Sequence, residues 1–266
     1  STLFPYTTLF RSIGSKIGLT GSSVASSWNG KDYTSVIKGF KPNNNATNVV
    51  SFTIPDNYMG KVCLVGTTNS TGTERSMFIA KEASRDVADV YGGYITTSST
   101  YDAQGFVTKP LLPGTYYLGC TDSYRLYELS VQLYRAYTRD VTEGRMGTVC
   151  IPNNAEAGNI AGAEVYTLLY WKYGTSWEDC QMLEFEQVET MNAGEPYLII
   201  PTESKFGVVR GATTVESPLH MTNGFIGTFD AIPAGDNVLT GKYGVVNNKI
   251  KKLGAVQFRV KRGGAD

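Results

Sequence analysis

The chain has 266 residues, with 24 Lys and Arg set against 24 Asp and Glu, so its formal net charge is zero. That balance argues against a nucleic-acid partner, which calls for a basic stripe, and against a polybasic membrane-surface role. No apolar run approaches the ~20 residues a membrane-spanning helix needs, so no membrane insertion is expected.

Ser1–Ser12 reads Ser-Thr-Leu-Phe-Pro-Tyr-Thr-Thr-Leu-Phe-Arg-Ser. On its residues it suits an aromatic-rich edge strand. Over its full length it also resembles the conceptual translation of a short-read sequencing adapter. That resemblance implies an artefactual segment, to be set aside from fold reasoning, with the protein proper beginning near Ile13.

Beyond it, alternation of apolar and polar residues predicts strands. Val50, Phe52 and Ile54 alternate with Ser51 and Thr53 until Pro55 stops the run. Lys61 to Gly66 is nearly continuously apolar, as for a strand covered on both faces. Arg75 to Lys81 follows a turn-rich stretch. Leu112-Pro113-Gly114 is a tight turn into Thr115–Gly119. From Tyr124 to Tyr137 two periods compete. Tyr127, Leu129, Val131 and Leu133 repeat every second residue, whereas Leu126, Leu129 and Leu133 fit a helical stripe that Asp122 or Ser123 would cap. The aromatic and β-branched content favours strand.

Charged and turn residues gather at 139–144, which sets a domain boundary there: one domain over 13–140 and a second over 145–266. In the second, strands are expected at 145–151 and, as a long pair, at 164–173 and 180–189. Further strands are expected at 196–200, 206–210, 224–229, 237–239 and 256–260, with a loop or one short helical turn at 153–162. The stop at Asp266, just after a Gly pair, reads as a truncated C-terminus. No helix beyond about two turns is convincing, against a third of residues in ordinary domains. With 29 Gly, 17 Tyr and only 18% charged residues, the fold class is all-β: a jelly-roll or β-sandwich domain followed by a smaller β-sandwich-like domain.

Little in the sequence points to catalysis. Cys63, Cys120, Cys150 and Cys180 show no Cys-x-x-Cys spacing, and His220 is the single histidine, so no zinc site is expected. Buried thiols are the favoured state of the cysteines, with a Cys63–Cys120 bridge as the alternative. His220 has no Gly-x-Ser-x-Gly partner motif. Glu184 and Glu186 fall side by side on one strand face, not across a cleft as glycoside hydrolysis requires. Glu82, Asp86 and Asp89 fit no EF-hand spacing and suit a surface acidic cluster better than calcium. Asn45-Ala46-Thr47 and Asn69-Ser70-Thr71 match the glycosylation pattern, a frequent chance match. No cofactor, metal or catalytic residue is expected.

Two stretches carry family resemblance. Leu112-Pro113-Gly114-Thr115-Tyr116-Tyr117-Leu118-Gly119, followed by Tyr124-Arg125-Leu126-Tyr127-Glu128-Leu129-Ser130-Val131, resembles a jelly-roll module attached to secreted pectate-lyase-like and other surface proteins of gut anaerobes. In the second half the order Gly147-Thr148-Val149-Cys150-Ile151-Pro152, Ala193-Gly194-Glu195-Pro196-Tyr197-Leu198-Ile199, Asn223-Gly224-Phe225-Ile226-Gly227-Thr228-Phe229 and Asn247-Asn248-Lys249-Ile250 is similar to a C-terminal β-domain of the same kind of multidomain surface protein. The resemblance implies an extracellular or cell-surface, metagenomic-type fragment with an accessory role: carbohydrate association, adhesion or display. A purely structural spacer for a lost catalytic module is the alternative, and a polysaccharide-active enzyme the third.

Binding a glycan on a β-sandwich needs aromatic rings to stack on sugars and a few polar groups for hydroxyls. Tyr91, Tyr94 and Tyr101, in the turn-rich 86–105 stretch, are the candidate rings. Asp102 and Arg125 are the candidate polar contacts. Tyrosines that merely cover the core are the competing explanation.

Overall fold

The computed structural model describes residues 10–13, 19–40, 49–68, 74–97, 102–172, 182–219, 225–229 and 243–252. By compactness the chain divides into two units, 1–138 and 139–266. The first holds β1 (Phe10–Ile13), β2 (Leu19–Trp28), β3 (Lys31–Phe40), β4 (Val49–Ile54), β5 (Tyr58–Thr68), β6 (Arg75–Ala80), a short 3-10 turn (Val87–Asp89), β7 (Gly93–Thr97), β8 (Gln104–Val107) and β9 (Gly114–Cys120). The long β10 (Tyr124–Asp140) ends this series and runs two residues past the division.

These strands form two sheets, one ordered β1-β4-β9-β6-β7, the other placing β2, β3, β10, β5 and β8 side by side. Every pairing is antiparallel. Counted along the chain from β3 as first to β10 as eighth, the sheets run second-seventh-fourth-fifth and first-eighth-third-sixth. That is the double Greek-key winding of a jelly roll, so the expected fold class holds for this unit.

Alternation explains which side of each strand goes inside. Val50, Phe52 and Ile54 of β4, Met77 and Ile79 of β6, Leu118 and Cys120 of β9, and Val62 and Leu64 of β5 meet in one core. Phe52 stacks on Tyr116 at 5.6 Å, and the Tyr116 hydroxyl, inside that core, donates to the Leu112 carbonyl at 2.9 Å, satisfying a phenol that burial would otherwise leave unpaired. The ambiguous stretch from Tyr124 is strand throughout. Of its period-two residues, Leu129, Val131 and Leu133 pack on the core, whereas Tyr127, at a bulge between Leu126 and Glu128, packs against the second cluster on the other face; apart from that bulge, a ladder with β5 from Tyr124↔Thr68 to Arg135↔Tyr58 overrides the helical stripe. The continuous apolar run of β5 is also accounted for: Val62 and Leu64 serve the main core, while Val65 serves a second cluster with Tyr33 and Ala103 on the opposite face.

The β2–β3 hairpin turns at Asn29-Gly30, both with positive φ (50° and 76°), the geometry of a two-residue hairpin turn that Asn-Gly suits. β1 lies along β4, Phe10 opposite Phe52 and Ser12 opposite Val50. The last three residues of the adapter-like string are therefore laddered onto a sheet edge; Ser1–Leu9 fall outside the described residues.

In the second unit, β11 (Gly147–Cys150), β12 (Ile160–Ala161), β13 (Ala163–Lys172), β14 (Met182–Val188), β15 (Pro196–Pro201) and β16 (Lys205–Val209) are followed by the hairpin of β17 (Tyr243–Val246) and β18 (Lys249–Lys252). One sheet runs β11-β15-β13-β14, and β12 pairs with β16. Val149, Ile151, Val165, Leu168, Tyr197, Ile199, Phe206 and Val208 are buried. The strand expected at 224–229 does not form over its described part, 225–229. Gly227 there presses against Cys150 and Pro196 so closely that any side chain would clash, a wedge and not an alternating surface. The strands expected at 237–239 and 256–260 lie outside the described residues.

Candidate functional site

On the sheet that contains β6, β7 and β9, alternation sends Met77, Ile79, Ile95, Leu118 and Cys120 inward. Ser76, Phe78, Tyr94, Thr96 and Gly119 therefore share the outer face. Gly119 stands opposite Phe78, and Phe78 opposite Tyr94. The missing side chain at Gly119 leaves the space that the Phe78 ring fills, since a Cβ there would overlap it. Phe78 is fully buried while Tyr94 beside it is 60% exposed. Among the described residues no other aromatic side chain is classed as exposed. Next to it Ser76 and Thr96 share a hydroxyl–hydroxyl hydrogen bond of 2.8 Å. Tyr94 is thus an aromatic ring in water, carried on a laddered strand and flanked by hydroxyls.

Tyr91 is differently placed. Its ring stacks on Tyr116 at 5.6 Å and packs on the core, and the Lys81 ammonium lies 4.1 Å from the ring centre. Its N–H donates to the Ile79 carbonyl at 2.8 Å. Tyr91 carries the core out to the surface. Tyr101 lies outside the described residues. Asp102 is exposed and precedes Ala103, whose N–H donates to Ser26 Oγ at 2.8 Å. Arg125 stands opposite Thr67, between the core residues Tyr124 and Leu126, and so points away from the core on the other sheet. The four described candidates do not converge: Tyr91 and Tyr94 sit beside β6, whereas Asp102 and Arg125 lie with the β2–β3 hairpin and β10.

The remaining polar groups have local jobs. Asp86 caps the 3-10 turn by accepting from the Ala88 N–H at 2.9 Å, and Asp89 accepts from the Ser84 hydroxyl. Among the described residues no group of three His, Cys, Asp or Glu is arranged for a metal ion. Glu184 and Glu186 are exposed along β14, opposite Tyr170 and Thr167. Cys63, Cys120 and Cys150 are thiols; Cys120 lies in the main core and Cys63 against the second cluster. His220, Cys180 and both glycosylation patterns fall outside the described residues.

The sequence matches no protein-family profile and no curated protein. Among solved structures it is similar to the N-terminal CBM22-1-CBM22-2 tandem domain from Paenibacillus barcinonensis Xyn10C, at 11% identity and a TM-score of 0.34, covering 83% of this chain and 91% of that one. At that score no functional inference rests on it.

Proposed function

We propose that this chain is a non-catalytic accessory part of a secreted or cell-surface protein and that its jelly roll associates with glycans through Tyr94. The observation that carries the reading is the exposed ring of Tyr94, on a laddered strand beside the buried Phe78 and next to the Ser76 and Thr96 hydroxyls. A tyrosine ring offers an apolar face to a sugar and keeps a hydroxyl for its rim. Mounted on paired strands, it costs little ordering on binding. Tyr91 buttresses the core beneath and Arg125 belongs to the opposite sheet, so neither shares this contact.

The test is affinity electrophoresis of the full chain in gels cast with plant polysaccharides and mucin glycans. Tyr94→Ala is expected to weaken the retardation roughly ten-fold, about 1.4 kcal/mol. Binding is expected to persist at moderate salt, because a neutral chain offers little long-range attraction for salt to screen. If no glycan retards the chain, the spacer role takes the place of this reading.

A further inference from the structure

The chain turns on asparagine more than once, and one of these turns is chemically unlike the rest. Among the described residues Asn29, Asn57, Asn247 and Asn248 take the left-handed backbone region, with φ of 50°, 65°, 51° and 56°, and all four are exposed. Their short polar side chains make that conformation accessible. The residue that follows decides how reactive each one is. Tyr58 follows Asn57, and its N–H is engaged, donating to the Pro55 carbonyl at 3.2 Å. Asn248 follows Asn247 and Lys249 follows Asn248, so a side chain crowds the backbone nitrogen in both cases. Gly30 follows Asn29. The other Asn-Gly pair of the sequence, Asn223-Gly224, lies outside the described residues.

Trp28 stands opposite Lys31 and closes the β2–β3 turn. In a two-residue turn the closing bonds belong to those flanking residues, so the Gly30 N–H is left outside the ladder. The space beside it is open: a Cβ built on Gly30 would meet nothing within 4 Å. A side-chain carboxamide and a bare backbone amide, adjacent and in water, can react with each other, which is one reason asparagine is a thermolabile residue. The Gly30 nitrogen gives up its proton to hydroxide and attacks Cγ of Asn29. The N–Cγ bond forms, the Cγ–Nδ2 bond breaks, and ammonia leaves with a proton from water, which restores the hydroxide. Water then opens the resulting succinimide ring at either carbonyl, leaving aspartate or isoaspartate. In isoaspartate the main chain runs through the former side-chain methylene and is longer by that carbon.

That turn sets the register of a hairpin that is docked on its sheet. Ser27 faces Asp32 and Ser26 faces Tyr33 across it. The Trp28 indole fills the space over Gly105, where a Cβ would come within 2.7 Å of it, and Tyr33 packs on Tyr127 at 5.5 Å. Lys31 Nζ and the Tyr33 hydroxyl both donate to Glu128 Oε2 at 2.7 Å, and Ser130 Oγ donates to Oε1 at 2.8 Å. We propose that Asn29-Gly30 is a site of spontaneous deamidation, and that isoaspartate formed there releases the β2–β3 hairpin from Glu128. The two-residue turn matches the twist of the strands it joins, and a lengthened turn no longer holds Lys31 opposite Trp28. A shift at Lys31 carries Tyr33 with it, and both donors to Glu128 Oε2 leave together. The reaction needs only water and is independent of any glycan.

The full chain is incubated in mildly alkaline buffer, and samples are digested with trypsin and mapped by mass spectrometry. The peptide 17–31 holds Asn29. Conversion at Asn29, with isoaspartate resolved from aspartate by chromatography, is expected to run roughly ten-fold or more faster than at Asn57, Asn247 and Asn248. Trp28 emission, read in a chain carrying Trp171→Phe and Trp177→Phe, should shift to the red in step with isoaspartate. Asn29→Gly keeps a residue that suits the turn and removes the carboxamide, so its emission should hold steady over the same time. Melting curves confirm that both chains are folded at the start. An Asn29 that converts no faster than the other three overturns the site. Emission that stays constant while isoaspartate accumulates, or that drifts equally in Asn29→Gly, overturns the release.

Discussion

Single residues set the fit of the jelly roll. Phe78 is fully buried on the outer face only because Gly119 lacks a side chain. Gly119→Ala should therefore cost roughly 1–3 kcal/mol, the usual price of overpacking, read as a shift in urea midpoint; unchanged stability would show that Phe78 moves freely aside. In the second unit, burial pushes the Cys150 thiol up to about 11, and its Sγ lies 3.3 Å from the Gly194 carbonyl. At pH 8 about one molecule in a thousand then carries the reactive thiolate. Iodoacetamide should spare Cys150 in the folded protein and modify it on unfolding. A thiol with a raised folded pKa keeps its proton while the unfolded chain ionises. Its effect on stability is therefore nil below about pH 9 and grows unfavourably as pH rises towards 11.

At the scale of elements, the β2–β3 hairpin is held on its sheet by Glu128. Burial alone would raise the Glu128 pKa, but the hydrogen bonds from Lys31, Tyr33 and Ser130 outweigh it and hold the carboxyl below its usual range. A depressed folded pKa stabilises above the unfolded value, near 4.3, and that contribution is lost as pH falls through the folded one. Hairpin docking should therefore loosen in acid. Trp28 fluorescence, in a background with Trp171 and Trp177 replaced by Phe, should show an acid step that Glu128→Gln removes; an identical step in the variant would assign it to another group. β1 poses a different question, since a sheet edge pairs with any extended segment through main-chain groups alone. Deleting Ser1–Ser12 is expected to change stability by less than about 1 kcal/mol, and a larger loss in thermal unfolding would show that the segment belongs to the fold.

At the scale of the whole molecule, the two compact units each have their own buried set, Phe52 and Leu64 in one, Ile199 and Phe206 in the other. Residues 13–138 and 139–266 expressed separately should each unfold cooperatively, as independent domains do. A half that stays unfolded by calorimetry unless its partner is present would refute the division. Within the second unit Asn248, at the turn of the β17–β18 hairpin, accepts from the Met146 N–H at 2.8 Å and donates to the Gly144 carbonyl at 3.1 Å. The start of that unit is thereby tied to residues about a hundred positions later.

The sequence by itself determined the all-β class and the inward residues of the strands that alternate cleanly, because a period of two is a local property of the chain. Val50, Phe52 and Ile54 are read correctly from six residues, and Leu129, Val131 and Leu133 by the same pattern, whereas a bulge turns Tyr127 to the other face. The Asn29-Gly30 signal for the β2–β3 hairpin was present as well, but its Ser-rich β2 flank gave no alternation to support it. Tertiary structure alone decided which strands became neighbours, because pairs such as β3 with β10 join segments some ninety residues apart. It also split the candidate site: alternation says that Tyr94 and Arg125 both face away from a core, but not that they lie on opposite sheets. Whether an outward face meets water or a folded-over hairpin is likewise non-local, and so Tyr94 stands exposed while Tyr33 is buried against Tyr127.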